Sequence, residues 1–299
     1  MPDFFLVGAP KSGTTSLSEY LRAHPNVLMS EPKEPHFFQT DFQGRTVTSW
    51  SDYEKCFQGR IGDHLKVGEA SAGYLVSEDA IPQILAHRPD AKIIVLLRNP
   101  ADLVYSLHSQ RVFDGGENVG EFRKAWSLEK KRLEGKQLPV ACVEPKRLLY
   151  SRYGLLGKQV QRILEVVPRD QALLAWFEDL VEDPEGVFHQ VQEFLGLPII
   201  SLNDYYIYNP NKEVRGYRLT RYLHLLGRLK SRLGFQKRWG IGPWVRIRFL
   251  GRATKRPPLT KAMRSELEEF FAEDIALLEK LTERNLSHWR PEIKYCKEE

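Results

Sequence analysis

The N-terminal segment holds the feature that most constrains the fold, an apolar run followed by a glycine-bounded loop and a helical pattern. The apolar residues Phe4–Val7 predict a short buried strand. The loop Gly8–Thr15 follows, with the sequence GAPKSGTT. Residues 14–23 carry leucines four positions apart and precede His24-Pro25, which predicts a helix that stops before the proline. A strand that enters a helix through such a loop is typical of α/β proteins.

The rest of the chain repeats this alternation of strands and helices. Further buried strands are predicted at Val67–Glu69, Ala91–Leu97 and Ala172–Phe177. Predicted helices cover Ile81–Ala86, Pro100 to about His108, Glu121–Leu133, Tyr153–Val166, Asp183 to Gly196, and Thr260–Leu281. Strands separated by helices imply a parallel sheet covered on both faces. We therefore predict one α/β domain over residues 1–299, built in three layers as α/β/α.

The loop between the first strand and the first helix is suited to bind an anion. Its two glycines let the backbone approach a ligand closely. The open N-terminus of the helix directs N–H groups at the same place. The loop side chains add an ammonium group and three hydroxyl groups, from Lys11, Ser12, Thr14 and Thr15. Together these donors favour phosphate or sulfate.

Two departures from the Walker pattern argue against a magnesium-dependent triphosphatase. The glycine spacing matches, but Thr14 stands where the phosphate-binding lysine belongs, and Lys11 lies earlier in the loop. The strand over residues 91–97 runs into Arg98, where a Walker-B acid would be expected. The histidines form no close pair at helical spacing and no CxxC occurs, so we predict no metal site.

A second candidate anion site is formed by Arg98 and Ser106. Arg98 follows the carboxyl end of a predicted strand, where open α/β sheets bind ligands. Ser106 lies about two turns along the helix predicted to start at Pro100. The guanidinium can bind a phosphate through two N–H groups and the hydroxyl can donate one more hydrogen bond. A structural salt bridge is the alternative interpretation of Arg98.

With these motifs the sequence resembles the sulfotransferases that use 3′-phosphoadenosine 5′-phosphosulfate (PAPS), nearest to their glycan-modifying and bacterial branches. The resemblance rests on Pro10–Thr15, Leu96–Pro100 with Ser106, Gly68–Ser71 with Tyr74, Phe177–Leu180 and Phe194–Leu197. It implies a fold like that of P-loop nucleotide hydrolases, without nucleotide hydrolysis and without a metal. It also implies that the loop residues Lys11, Ser12, Gly13, Thr14, Thr15 and Ser16 hold the 5′-phosphosulfate. Arg98 and Ser106 would hold the 3′-phosphate, completed by Arg215 and Gly216 in a later basic loop.

The candidate catalytic base lies in the segment Glu31–Phe38, which reads EPKEPHFF. In the glycan-modifying branch a glutamate just before a short segment that ends in two phenylalanines is the base, and Glu34 matches that position. His36 is the alternative, because an imidazole suits proton transfer near neutral pH. Lys11 is the third predicted catalytic residue, on the leaving-phosphate side. Where that branch often carries a lysine, this chain has Ala70.

Charge is unevenly distributed along the chain. Residues 212–264 hold 16 Lys and Arg and one acid, whereas the rest holds 28 basic and 38 acidic residues. This basic segment is either a surface for anionic ligands such as membrane lipids, or a mostly helical elaboration of the domain whose basic side chains cover apolar surface. No nucleic-acid partner is predicted, and the oligomeric state is left open.

The sequence thus predicts a sulfotransferase that moves a sulfuryl group from PAPS to a hydroxyl of a saccharide, lipid or other small molecule. Two alternatives remain open at this point. One is a nucleotide or small-molecule kinase on a related fold, and the other is a non-catalytic anion-binding protein. The N-terminus lacks a basic region before its apolar residues, so we expect a cytoplasmic protein.

Overall fold

The computed structural model describes residues 1–58, 66–140, 142–206 and 257–290. Most of the basic segment, including Arg215 and Gly216, lies outside these ranges. The chain divides into two compact units. Unit 1 contains residues 1–103, 151–208 and 264–299, and unit 2 contains residues 104–150 and 209–263. The single domain expected over residues 1–299 stays a prediction.

Unit 1 is built on a parallel five-stranded sheet. Its strands are β1 (Phe4–Gly8), β2 (Val27–Met29), β3 (Lys66–Ala70), β4 (Lys92–Leu97) and β5 (Ala172–Trp176). They lie in the order β2-β3-β1-β4-β5, and every neighbouring pair is parallel. In register, Phe5 of β1 lies beside Glu69 of β3 and Ile93 of β4. The carboxyl ends of these three strands therefore meet at one edge of the sheet.

The strands of unit 1 alternate with helices, and further helices lie in unit 2. They are α1 (Thr14–Ala23), α2 (Trp50–Lys55), α3 (Ala80–His87), α4 (Pro100–Asp114), α5 (Phe122–Ser127), α6 (Glu129–Leu133), α7 (Tyr150–Gly154), α8 (Leu156–Leu164), α9 (Phe177–Glu182), α10 (Pro184–Leu195) and α11 (Lys261–Thr282). Within the described ranges, no helix has both the length and the apolar character needed to cross a membrane.

Both faces of the sheet are buried, which confirms the predicted three-layer α/β/α class. Alternate residues of β1 pack on opposite sides. Phe4 and Leu6 join a core formed with the apolar stripes of α1 and α10. On the other face, the ring of Phe5 packs edge-on against Phe38, with centroids 6.0 Å apart. All five residues of β1 are buried, as expected for a central parallel strand.

Most predicted boundaries were confirmed closely, and three helices differ. Helix α1 has its predicted limits, and seven other elements lie within a residue of theirs: β1, β3, β4, β5, α3, α10 and α11. The helix from Pro100 is longer than expected, because no breaker occurs before Gly115, which has φ +75°. The helix expected over 121–133 is broken at Leu128. That expected over 153–166 is interrupted at Leu155, after α7 ends at Gly154.

A buried carboxylate joins two helices of unit 1. Asp274 of α11 accepts hydrogen bonds from the amides of Gly157 (2.6 Å) and Lys158 (3.0 Å), which lie in the first turn of α8. The N-cap residue of α8, Leu155, supplies no side-chain hydrogen bond. Asp274 therefore satisfies N–H groups that the helix itself cannot, and its charge is favourable at the positive end of the helix. Burial raises the pKa of Asp274, although both amide bonds oppose that shift.

We predict that Asp274→Ala lowers the free energy of unfolding by about 1–3 kcal/mol, because it leaves buried N–H groups without acceptors. Asp274→Asn keeps one acceptor oxygen, so its loss should be smaller. Chemical denaturation followed by circular dichroism measures both values. Equal stability of the alanine variant and the wild type would show that these hydrogen bonds contribute nothing to the fold.

Candidate functional site

The glycine-bounded loop follows the carboxyl end of β1 and lies between β3 and β4. The amide of Ala9 donates to the carbonyl of Leu96 on β4 (2.7 Å). On the other side, a Cβ placed on Gly8 would lie 2.5 Å from Cβ of Leu75 and 3.1 Å from the carbonyl oxygen of Ala72. Gly8 is thus required by close packing, because any side chain would displace the turn that follows β3.

The loop presents donors that fit an anion. Gly13, with φ +89°, is the N-cap of α1 and gives no side-chain hydrogen bond, and the first turn contains no acid. The hydroxyl of Ser12 is buried and has no hydrogen-bond partner within the described chain. Thr14 and Ser16 are also buried. An uncapped helix N-terminus beside an unsatisfied hydroxyl suits the phosphosulfate end of PAPS.

Arg98 is placed beside this loop, but its observed partner is the loop itself. Its Nη1 donates to the carbonyl of Lys11 (2.7 Å), and its guanidinium lies 4.2 Å from the ring centre of Phe177. Burial lowers the pKa of Arg98, and the charges of Asp102 and Glu178 oppose that shift. A guanidinium has five N–H donors, so this contact leaves others for a ligand. Neither alternative from the sequence, a phosphate ligand or a salt bridge, foresaw the contact to Lys11.

The other predicted ligands of the 3′-phosphate are Ser106, Arg215 and Gly216. Ser106 lies on α4, within unit 2, and is 3% exposed. Arg215 and Gly216 lie outside the described residues. The pairing of Ser106 with Arg98 accordingly stays a prediction.

The candidate bases lie on a segment, residues 33–39, that is tied to the end of β3. The amide of Glu34 donates to the carbonyl of Ala70 (3.0 Å), and the amide of His36 donates to Oγ of Ser71 (3.1 Å). Phe38, 1% exposed, anchors the segment in the core. Because β1 and β3 are adjacent and parallel, the base segment and the anion loop share one edge of the sheet.

Glu34 is held in its ionised form by its neighbours. Lys33 Nζ lies 2.8 Å from one carboxylate oxygen, and His36 Nε2 lies 3.7 Å from the other. Burial alone would raise the pKa of Glu34, but the His36 ring and the Lys33 ammonium outweigh it and hold that pKa well below the usual carboxylate range. The side chain is 41% exposed, so a substrate hydroxyl can reach it.

Three predicted site residues share a strained backbone conformation. Across the described ranges, five non-glycine residues have positive φ, and Lys11 (+67°), Glu34 (+62°) and His36 (+53°) are among them. Each such residue costs about 1–3 kcal/mol and persists only where its surroundings fix it. The concentration of this strain at the two loops supports a functional role for both.

Several residues that shape the site carried no predicted role. Glu69, fully buried, accepts hydrogen bonds from Tyr53 (2.5 Å) and Ser71 (2.6 Å). Lys33 supplies a cation beside Glu34 although position 70 is alanine. A polar residue at the carboxyl end of a buried strand, as in the run over residues 66–71, is the sequence signal that could have identified Glu69.

An anion loop and a carboxylate at the carboxyl edge of a parallel sheet define a P-loop-like α/β protein built for transfer of an anionic group. Residues 1–281 match the sulfotransferase domain family, and the chain belongs to that family. Among the residues that the structure describes, no three His, Cys, Asp or Glu side chains are grouped as a metal site would require.

Individual relatives agree with this assignment. A crystal structure of a sulfotransferase from Alicyclobacillus acidocaldarius is similar over 97% of this chain and 99% of that chain, with a TM-score of 0.71 and 29% identity. Human heparan sulfate glucosamine 3-O-sulfotransferase 6 is 28% identical over 71% of this chain and 57% of its own. Human bifunctional heparan sulfate N-deacetylase/N-sulfotransferase 3 is 29% identical over 66% of this chain and 22% of its own. The chain thus spans at most about half the length of these curated relatives.

We predict that Lys33→Met raises the pKa of Glu34, because the substitution removes the ammonium 2.8 Å from its carboxylate. Titration of the side-chain carboxyl carbons by NMR measures this value. Lys55→Met is the matched control, since Lys55 pairs with Asp52 (2.7 Å) on the exposed surface of α2. A Glu34 titration that is the same in both variants would show that Lys33 does not stabilise the carboxylate.

Proposed function

We propose that the protein transfers a sulfuryl group from PAPS to a hydroxyl group of a saccharide. The observation that carries this proposal is the shared edge of β1 and β3, where the anion loop and the base segment are attached to adjacent parallel strands. Membership of the sulfotransferase domain family supports this assignment over the kinase and the non-catalytic alternatives.

Different described residues take different roles in the proposed reaction. Bound PAPS would supply the activated sulfuryl group, which moves between two oxygens as one S–O bond forms and another breaks. Glu34, already ionised, accepts the proton of the attacking hydroxyl. Lys11 and the amides at the start of α1 balance the charge that remains on the leaving phosphate. His36, at 3.7 Å from Glu34, is the alternative proton acceptor.

The choice of a saccharide acceptor is supported by the relatives. The two human relatives named above are heparan sulfate sulfotransferases, at 28% and 29% identity. Lipid and small-molecule alcohols were equally open from the sequence alone. Incubation with sulfur-labelled PAPS and a panel of heparan-type oligosaccharides, lipids and simple alcohols tests the choice, because only a true acceptor becomes labelled.

The basic segment 212–264 is proposed to shape access for anionic acceptors, with a membrane surface as a second ligand. Both proposals rest on its 16 basic residues against one acid. Charge reversal at Arg228, Lys230 and Arg232 should lower turnover of anionic acceptors more than that of neutral ones. Vesicle sedimentation tests the membrane contact, and cell fractionation tests the cytoplasmic location.

We predict that adenosine 3′,5′-bisphosphate binds more tightly than ATP, with or without magnesium. Arg98→Ala should weaken bisphosphate binding by about 2–5 kcal/mol, because a buried cation next to the loop is lost. Isothermal titration calorimetry measures both effects. Arg152→Ala is the control, since Arg152 pairs with Glu78 at 3.1 Å. Tight magnesium-dependent ATP binding without bisphosphate binding would favour a kinase.

We predict that Glu34→Gln lowers kcat by about 10²–10⁴-fold while PAPS affinity is retained, because glutamine preserves size but cannot accept the proton. Lys11→Ala should lower both turnover and PAPS affinity, since its charge acts before and during transfer. Single-turnover kinetics and equilibrium binding separate the two effects.

His36→Gln distinguishes the two candidate bases. With Glu34 as the base, this variant keeps measurable turnover. An inactive His36 variant beside an active Glu34 variant would assign the proton to the imidazole.

A further inference from the structure

Glu69 is a buried carboxyl group whose contacts are all hydroxyl groups. It is 0% exposed and lies in β3, next to the residue that anchors Glu34. Tyr53 and Ser71 donate hydrogen bonds to its two oxygens at 2.5 and 2.6 Å. No Lys, Arg or His in the described part of the chain forms a salt bridge with it. Burying a carboxyl group without an ion-pair partner costs free energy of folding, so a functional reason for the position of Glu69 is expected.

One of these hydroxyl groups continues to the base segment, and a further hydroxyl group, that of Tyr74, anchors the segment separately. Oγ of Ser71 accepts the amide of His36 (3.1 Å), and the hydroxyl of Tyr74 accepts the amide of Phe38 (3.2 Å). A hydroxyl has one hydrogen, so a hydroxyl that donates to Glu69 turns its lone pairs toward another donor. Glu69 therefore orients the Ser71 hydroxyl as an acceptor for the backbone that carries the candidate bases.

The base segment needs such anchoring because its backbone is strained. Glu34 and His36 have φ of +62° and +53°, a region that such residues rarely adopt. The space for the His36 ring is also limited, since a Cβ on Gly73 would lie 3.1 Å from its Cε1. A small backbone shift would change where the Glu34 carboxylate and the His36 ring meet an acceptor.

We infer that Glu69 is a positioning residue for sulfuryl transfer, which acts through Ser71 on the amide of His36. The inference rests on the proposed function only in taking residues 34–36 to hold the catalytic base. Its structural part, the anchoring of the segment, does not depend on that activity.

Amide hydrogen exchange by NMR on the full chain, without ligand, tests the anchoring. Glu69→Gln should lower the protection of the His36 amide by about ten-fold or more and leave that of the Phe38 amide unchanged, because a glutamine amide can donate to Ser71 and turn its hydroxyl away. Ser71→Ala should affect His36 alone, and Tyr74→Phe should affect Phe38 alone. Unchanged protection of His36 in both Glu69→Gln and Ser71→Ala would overturn the inference.

Steady-state kinetics with PAPS and a heparan sulfate oligosaccharide tests the effect on catalysis. Glu69→Gln and Ser71→Ala should lower kcat by about 10²-fold with the KM for PAPS within about two-fold, as expected for a misplaced base and an intact anion loop. Ser71→Thr keeps the hydroxyl and should restore turnover. Asp274→Asn, which loses a buried carboxylate remote from the site, should leave kcat unchanged.

The outcomes separate the two proposals. A kcat that falls in Asp274→Asn as much as in Glu69→Gln would reduce Glu69 to a structural residue and overturn the positioning role. A wild-type protein that sulfates no acceptor would overturn the proposed function. The exchange pattern would then still support or overturn the anchoring by itself. Should Glu69→Gln not fold, Ser71→Ala carries the same test, with Tyr74→Phe as its matched control.

Discussion

The parallel pairing of β3, β1 and β4 is the constraint on which the candidate site depends. Parallel neighbours end at the same edge, so the loop after β1 is placed between the segments attached to β3 and β4. Single backbone hydrogen bonds complete the arrangement, from Ala9 to β4 and from Glu34 to β3. The anion loop and the base segment are thereby attached to neighbouring strands of one sheet.

Charge is arranged on both sides of this edge in a complementary way. The loop side offers backbone N–H groups, an orphaned hydroxyl on Ser12 and the guanidinium of Arg98. The base side offers a carboxylate, kept ionised by Lys33 and His36. The donors on the loop side suit an anion, and the carboxylate is the group proposed to accept a proton.

Local signals in the sequence predicted much of this arrangement, but they did not predict its long-range contacts. Asn99 before Pro100 marked a helix start, and its side chain does accept the amide of Ala101 (2.9 Å). The strand β2 was missed, because three residues pair as a strand only when β3 is beside them. The left-handed backbone of Glu34 could not be predicted either, since glutamate has no preference for that conformation. Tyr53 reaches Glu69 from a helix whose position no local pattern fixes.

The residues with left-handed backbone angles at the site limit how this protein can be made more stable. Glycine adopts such angles without strain, so replacing Lys11, Glu34 or His36 by glycine would relieve a cost that the native chain carries. Selection for heat resistance alone would favour these changes and remove the groups proposed to perform the chemistry. Stability and turnover are therefore opposed at three adjacent points of one sheet edge, and a thermostable variant is better sought by strengthening the helices that surround it.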